Sequence, residues 1–223
     1  MIAGLLLILV IVVVVAGTMI AVFARRKGAE NAIRDFAVSQ GGRWHSWGNG
    51  TTPSFGIGPG EHYRFAVEFP RQGMPVAALE SANPGGGSAK VWHSVRVAAP
   101  VTPRLCLCKI GPLDPPDHPL AQAFISSRLL GVDGVLAAWP VPDPSLRPLI
   151  AVYTADLGFA NSVVTPAFLH WFAGAVPPLA PMIDIEAGVA RSYIPEPMDV
   201  ASLTTTADRL LAVTRALAVP RSG

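Results

Sequence analysis

The sequence predicts an α+β fold, in which an N-terminal transmembrane helix precedes one antiparallel-sheet domain with packed helices. Three observations lead to this prediction: a long uncharged apolar run at the start of the chain, four strand patterns joined by short turns, and helical patterns near the end, the last of which is a C-terminal amphipathic helix. Strands that precede helices, without a repeating βαβ order, are typical of α+β domains.

The composition excludes several classes of protein. Hydrophobic residues make up 51% of the 223 residues and charged residues only 14%, whereas a typical soluble domain has about 25% charged residues. This composition excludes a disordered chain. The net charge is +2, and three positive charges are adjacent at residues 25–27, so the rest of the chain has no basic face for nucleic acid. We therefore expect no nucleic-acid partner.

The first element is the apolar run from Ile2 to Ala24, which contains no charged residue. As a helix it would span roughly 35 Å, enough for a hydrocarbon core of about 30 Å. A cleaved signal peptide is the alternative, but such peptides begin with a basic region and have an apolar core of about 7–15 residues. No Lys or Arg precedes this run. The pattern therefore predicts an uncleaved anchor with the lipid bilayer as the partner of residues 2–24.

The residues that follow the anchor predict its orientation. Arg25, Arg26 and Lys27 come directly after the apolar run, and basic residues near a membrane segment stay on the cytoplasmic side. We expect a single-pass protein of the cell inner membrane with its C-terminal domain in the cytoplasm. Two cysteines cannot form a disulfide framework, and unpaired thiols agree with a reducing compartment.

The next elements form the juxtamembrane region and the first strands. Residues 25–42 comprise the basic stop and a short amphipathic helix over residues 29–40, which Gly41 and Gly42 end. The α+β domain then occupies residues 43–223. Alternating apolar residues and short turns predict an antiparallel meander of four strands, Tyr63–Phe69, Pro75–Ser81, Val91–Ala98 and Arg104–Ile110, with turns at Asn83–Gly87 and Pro100–Pro103.

The later elements include more helices. Thr165 and Pro166 are suited to begin a helix that runs to about Ala173, and Asp199 is suited to cap the last one. The full set predicted for this part is a helix over Ala121–Leu130, strands over Val135–Trp139 and Leu149–Thr154, a Pro-rich linker or loop at residues 139–148, a hairpin of Met182–Glu186 with Val189–Tyr193, and an amphipathic helix over Val200–Ala218.

No familiar catalytic motif is present in the sequence: G-x-S-x-G, S-x-x-K, H-E-x-x-H and C-x-x-C are all absent. The run from Gly85 to Lys90 resembles a phosphate-binding loop, but Val91 and a strand follow it where Ser or Thr and a helix are required. We interpret it as a hairpin turn, and the Gly-rich residues 48–60 as a surface loop. The sequence therefore predicts neither an enzyme nor a cofactor.

Cys106, Cys108 and His93 are the candidate metal ligands. Residues two apart on a strand share a face, so both thiols point the same way, and a hairpin turn at Pro100 would place His93 opposite Cys108. The alternative is that the cysteines are small apolar residues of the core, since free cysteine is often buried. We prefer that alternative because the sequence offers no fourth ligand.

The remaining histidines and acidic residues have structural interpretations. Asp114, Asp117 and His118 lie among prolines, which favours an exposed turn. His45 and His170 lie beside tryptophans, and we expect both to be structural or exposed at the surface. The five tryptophans, which are Trp44, Trp47, Trp92, Trp139 and Trp171, are expected to anchor the core.

The layout resembles a group of actinobacterial single-pass membrane proteins of unknown function, which have an α+β domain after an N-terminal transmembrane helix. The stretches that carry the resemblance are residues 36–44 (FAVSQGGRW), 73–80 (GMPVAALE), 95–97 with 103–105, and 156–160 with 164–166. The resemblance extends over nearly the whole chain. It implies the fold and the membrane anchor but supplies no activity and no functional residue.

These observations favour a non-enzymatic interaction or scaffolding domain that is held at the cytoplasmic face of the membrane and contacts a protein partner there. Tethering raises the effective concentration of such a domain for partners in the same membrane. Two alternatives stay open. One is a ligand-binding or enzymatic domain of unrecognised type, and the other is an envelope-facing accessory or sensor protein with reversed topology.

Overall fold

The structure is a computed structural model of the chain, and it describes residues 2–46, 53–55, 63–82, 91–109, 136–175, 182–194 and 196–218. In the first helix, the side chains are described from Ile11 onward. The predicted turn at Asn83–Gly87 and the predicted helix at Ala121–Leu130 lie outside the described residues.

Four helices and nine strands occur in the described residues. In chain order they are α1 (Ile2–Ser39), β1 (Arg43–Ser46), β2 (Phe65–Arg71), β3 (Met74–Ala82), β4 (Val91–Ala98), β5 (Leu105–Lys109), β6 (Ala137–Trp139), β7 (Ile150–Thr154), α2 (Leu157–Val163), α3 (Pro166–Ala175), β8 (Met182–Glu186), β9 (Val189–Ile194) and α4 (Val200–Ala218). The order of elements confirms the α+β class.

All nine strands form one sheet in the order β1-β2-β3-β4-β9-β8-β5-β7-β6, and every pair of neighbours is antiparallel. The predicted meander is correct for β2, β3 and β4 but wrong for β5. The β8–β9 hairpin lies between β4 and β5 in the sheet. After β4 the chain runs alongside this hairpin, where the Ala99 N–H donates to the Gly188 carbonyl at 2.8 Å, and it does not fold back to pair with β4. Local turn signals at Pro100–Pro103 mark where β4 ends, but they do not determine which strand lies beside it in the sheet.

The sheet has a helix face and an opposite face. On the helix face, alternate apolar residues of the strands pack with α1, α3 and α4 in one core that includes Ile33, Phe65, Val95, Leu107 and Leu203. The opposite face also carries buried side chains, among them charged ones. Because both faces are buried, strands such as β3 read as nearly continuous apolar runs.

The helix signals in the sequence are confirmed. Asp199 caps α4 by accepting from the Ser202 N–H at 2.8 Å, and Thr165 caps α3 by accepting from the Phe168 N–H at 3.2 Å. Gly41, with φ of 75°, follows the end of α1 in the left-handed conformation that favours glycine.

The β8–β9 hairpin is also as predicted, and β2–β3 turns in the same way. Both turns have two residues with positive φ, Ala187 with Gly188 and Gln72 with Gly73, the arrangement of a type I′ turn, which matches the twist of the flanking strands.

Three features differ from the sequence prediction or refine it. Strand β1 and helix α2 were not predicted. The Pro-rich residues 139–148 were predicted as linker or loop. Residues 140–148 form a loop of turns and bends that packs on the domain instead of extending from it, because Val141 and Leu146 are buried in the core and Arg147 donates to the Val141 carbonyl at 2.9 Å.

Candidate functional site

In the first half of α1, the described side chains from Ile11 to Phe23 form a continuous exposed apolar surface. Nine large apolar side chains between Ile11 and Phe23 are each at least 50% exposed, far more than a soluble protein leaves in one patch. At 1.5 Å per residue the whole of α1 is about 57 Å long, so this half extends well beyond the sheet. The apolar residues face surroundings that the domain itself does not provide.

Among the described residues, no helix satisfies both the length and the apolar character that crossing a membrane requires. Membrane insertion of residues 2–24 therefore stays a prediction. Arg25, Arg26 and Lys27 lie on α1 as predicted, and all three are exposed.

The second half of α1 is fixed to the sheet by packing. Ile33 and Ala37 are buried in the core at 1% and 0% exposure, and the Phe36 ring meets the Phe69 ring edge-on with centroids 5.3 Å apart. Beyond the helix, Gly42 approaches the backbone of β2 so closely that a Cβ would overlap the Glu68 carbonyl and Phe69. Glycine is required there because no side chain fits, and the domain is held rigidly at the end of α1.

An ionic cluster of Glu30, Arg64 and Glu80 joins α1, β2 and β3. The Arg64 guanidinium contacts Glu30 of α1 at 3.2 Å and Glu80 of β3 at 3.0 Å. Glu80 is buried, and its second carboxylate oxygen accepts from the Met198 N–H, just before α4, at 2.8 Å. This arrangement connects the first helix to the last one through two side chains.

The electrostatics of Glu80 reflect its position. Burial raises the pKa of Glu80 above its ordinary value, although the Met198 N–H, Arg64 and Arg26 act in the opposite direction. Arg26 lies four residues before Glu30 on α1, and residues four apart share a face of a helix. Glu80 is recognisable from the sequence, because it stands at the next inward-facing position of β3 after Val76 and Ala78.

His93 fixes the start of α4 beside this cluster. Its Nδ1 donates to the Glu196 carbonyl at 2.7 Å, and its Nε2 contacts the Ser202 hydroxyl at 3.1 Å. Burial lowers the pKa of His93, with the hydrogen bond to Glu196 acting in the opposite direction. Both ring nitrogens of His93 are engaged within the fold, so its role is structural.

The structure contradicts the proposed convergence of His93 with the cysteines. His93 pairs with Glu80 and Ile194, and it lies on the helix face. Cys106 and Cys108 lie on the opposite face, where Cys108 pairs with Ala151 and Met182. The register assumed from a β4–β5 hairpin was wrong because those two strands are not neighbours.

The two cysteines are buried as the core interpretation predicts. Their sulfurs lie 3.6 Å apart, and both side chains pack against Met182. The hydrogen bond to Cys108 and burial raise the pKa of the Cys106 thiol well above its ordinary value, whereas reactive cysteines have lowered values. Across the described residues, no group of three or more His, Cys, Asp or Glu is placed to hold a metal ion.

A buried ion-pair network lies next to the cysteines on the opposite face. Arg104 forms a bidentate pair with Asp184 at 3.1 and 3.2 Å, and Glu186 contacts both Arg104 at 3.8 Å and Arg191 at 3.4 Å. Arg96, in the same row of the sheet, is 1% exposed. Sequence reasoning missed this network, because Arg104 lies 80 residues before Asp184 in the chain.

One cavity of about 370 Å³ lies at the other end of α1, between Gly41, Glu68, Phe69 and the β2–β3 turn at Gly73. Its carboxylate is already bonded within the protein: Glu68 accepts from the Ser54 hydroxyl at 2.9 Å, from the Phe55 N–H at 3.0 Å, and faces His45 Nε2 at 3.1 Å. The Glu68 carboxylate therefore serves the fold, and the exposed Arg43 is the other charged residue that lines the cavity.

The remaining candidate residues are partly described by the structure and partly outside the described residues. His170 is exposed and pairs with Asp143 at 3.0 Å, and Trp44 stacks on Phe65 with ring centroids 4.6 Å apart. Trp171 is 39% exposed, so it is not the core anchor that was predicted. Asp114, Asp117, His118, Gly85–Lys90, Trp47 and most of residues 48–60 lie outside the described residues.

Comparison with known proteins gives one informative similarity. No protein-family profile matches the chain, and no curated protein matches it. Among solved structures, the crystal structure of the mycobacterial trehalose monomycolate transport factor A, TtfA, is similar with a TM-score of 0.54 and 14% sequence identity, over 87% of this chain and 99% of that chain. At this identity the similarity shows a shared fold.

Proposed function

We propose that this chain is a single-pass membrane-anchored accessory protein, whose domain acts as a non-enzymatic interaction or scaffolding unit at the cytoplasmic face of the membrane. The observation that carries the proposal is α1, in which an exposed apolar half continues without a break into a half that is packed in the core. A flexible tether would let the domain rotate freely, whereas a continuous helix fixes its orientation towards partners in the same membrane.

The basic residues support the cytoplasmic location. Arg25, Arg26 and Lys27 are exposed directly after the apolar half of α1, and basic residues in that position favour the cytoplasmic side. The buried thiols of Cys106 and Cys108 are free, which agrees with a reducing compartment.

The fold supports an accessory role in a membrane-associated assembly. The similar structure belongs to a transport factor for trehalose monomycolate, and a domain of this fold beside a membrane helix suits a subunit of an assembly that moves envelope lipids. The polar clusters of the described domain are bonded internally, as for Glu80 and Asp184, and this favours a domain that works through its surface.

Topology is the first experiment. Thr205 is exposed on α4, so a Thr205→Cys chain is labelled with a membrane-impermeant maleimide in intact and in lysed cells, with the unsubstituted chain as the control for the buried thiols. We expect labelling only after lysis. Labelling of intact cells would contradict the cytoplasmic location and favour the envelope-facing accessory or sensor role.

The interaction role needs its own test. The full chain is purified from membranes in a mild detergent, beside a matched variant that lacks residues 2–24. We expect an integral membrane protein to copurify in a fixed ratio with the full chain and to be lost from the variant. Purification of the full chain without any stable partner would count against the scaffolding role.

A further inference from the structure

The end of the sheet nearest to Glu30 is an interaction surface in its own right. We infer that this end, which we term the proximal end, lies in the headgroup region of the bilayer and contacts lipid directly. The proximal end consists of the start of β2, the end of β3, the start of β4 and the end of β9. Arg64 and Glu196 are exposed there, Trp92 and Tyr193 are half-buried, and Tyr63, Glu80 and Ser81 are buried. The inference rests on the proposed anchoring of residues 2–24.

Two contacts establish the direction of α1 along the sheet. Glu30 meets Arg64, just before β2, at 3.2 Å, and Phe36 meets Phe69, near the end of β2, at 5.3 Å between ring centroids. The buried half of α1 therefore runs beside β2 in the same direction. Whatever lies near Glu30 lies on the side of the domain from which α1 enters.

Strand register brings three further strand ends to the same place. Phe65 of β2 pairs with Glu80, and Ala82 pairs with Val91, so β3 ends and β4 begins there. His93 pairs with Ile194, which is the last residue of β9. Glu196 follows, and its carbonyl is held by His93 at 2.7 Å.

The length of helix between the apolar run and the domain sets the height of this end. From Ala24 to Glu30 the helix rises by about 9 Å, and the headgroup layer extends about 5–8 Å beyond the hydrocarbon core. With α1 perpendicular to the bilayer, the backbone at Glu30 thus lies about 1–4 Å outside the headgroup layer, and a tilt of α1 brings it closer to the outer edge. The other end of β3, at Met74, is roughly 26 Å further away.

The chemistry of the proximal end suits that depth. Trp92 and Tyr193 are half-buried and lie with ring centroids 5.9 Å apart, and Trp and Tyr favour the membrane interface because each combines an apolar ring with a polar group.

The charges of this region balance. Among the described residues near this end, four are basic, Arg25, Arg26, Lys27 and Arg64, and four are acidic, Glu30, Glu80, Glu196 and Asp199. A balanced surface with aromatic rings fits zwitterionic headgroups. We therefore expect the proximal end to contact membranes of phosphatidylcholine alone, in which no anionic lipid is present.

Site-directed fluorescence quenching tests the inference. The full chain is reconstituted into phosphatidylcholine vesicles that contain lipid spin-labelled at the headgroup, and a fluorophore is attached to Ala24→Cys, Glu196→Cys or Met74→Cys. Glu196 and Met74 are both exposed, so they form a matched pair at opposite ends of the sheet. The unsubstituted chain reports labelling of Cys106 and Cys108, which are 0% and 7% exposed.

We expect strong quenching at positions 24 and 196, and at least about twofold weaker quenching at position 74 than at 196. Position 74 is separated from the proximal end by β3, which is about 26 Å long, and nitroxide quenching does not reach that far. Quenching at 24 with equal or reversed values at 196 and 74 would overturn the inference and leave the anchor intact. An unquenched position 24 would overturn the anchoring itself, and with it the inference.

Discussion

Arg64→Gln should destabilise the domain mainly through the group that it leaves behind. In the native chain the Arg64 guanidinium lies 3.0 Å from Glu80, whose side chain is only 3% exposed. A hydrogen bond to a charged group contributes about 1.5–3 kcal/mol, and the partial exposure of Arg64 reduces this through solvent screening. We expect a loss of about 2 kcal/mol in the free energy of unfolding near pH 7.5.

The loss should depend on pH in a defined direction. Burial already raises the pKa of Glu80, and removal of Arg64 raises it further, so folding of the variant favours the protonated carboxyl. For a raised pKa, the stabilising contribution is present below the ordinary value of 4.5 and is lost as the pH rises through the folded value. The difference between Arg64→Gln and the native chain should therefore shrink towards about pH 5.

The assay is urea unfolding of the full chain in a nonionic detergent, followed by tryptophan fluorescence at about pH 5 and about pH 7.5. Glu80→Gln supplies the partner variant, because its amide oxygen still accepts from the Met198 N–H and carries no charge. In that background Arg64→Gln should cost less than about 0.5 kcal/mol. A similar loss at both pH values, or in both backgrounds, would refute the reasoning.

Three further predictions concern His93, the ion pair of Arg104 with Asp184, and Gly42. His93→Gln should flatten the fall in stability below about pH 6.5. Burial lowers the pKa of His93, so the stability that His93 contributes is present above its unfolded pKa and is lost as the pH falls below it. An unchanged slope in urea unfolding would contradict this. Arg104→Met should cost about 3–5 kcal/mol by leaving Asp184 buried without its bidentate partner, and Arg104→Met with Asp184→Leu should recover most of the loss, so a double variant as unstable as the single one would oppose the account. Gly42→Ala should prevent β1 from pairing and lower the melting temperature by several degrees, while Gly28→Ala, which has open space around it, should be neutral or stabilising by up to about 1 kcal/mol.

Elements with strong local signals were predictable from the sequence, and elements specified by their neighbours were not. Helix α4 has a cap at Asp199 and a regular apolar stripe, and both are confirmed. Strand β1 has four residues of mixed character and forms because β2 supplies its partners. Helix α2 has only seven residues, and its cap at Asp156 stands directly before Leu157 and Gly158, where no helical period is visible.

Of the candidate site, only helix α1 was predictable from the sequence. The apolar run and the basic residues at 25–27 are local patterns, so α1 could be recognised from them. The cluster of Glu30, Arg64 and Glu80 joins residues that are distant in sequence, and only the strand register brings them together. The same dependence on register made the proposed meeting of His93 with Cys108 wrong, although the burial of both cysteines could be predicted from their residue type.

The position of the cluster explains why rigid attachment of α1 is important for the proposed role. Arg64 and Glu80 join α1 to the start of α4, so a change in the tilt of α1 at the membrane moves the proximal end and α4 together. In the proposed arrangement the proximal end lies within about 10 Å of the hydrocarbon core and is accessible to short cytoplasmic loops of a membrane partner. The cavity at the β2–β3 turn lies beyond the length of β3, roughly 26 Å further away, and only a partner with a larger cytoplasmic part reaches it. A membrane protein with short loops that copurifies with the full chain should therefore crosslink near Glu196 and not near Met74.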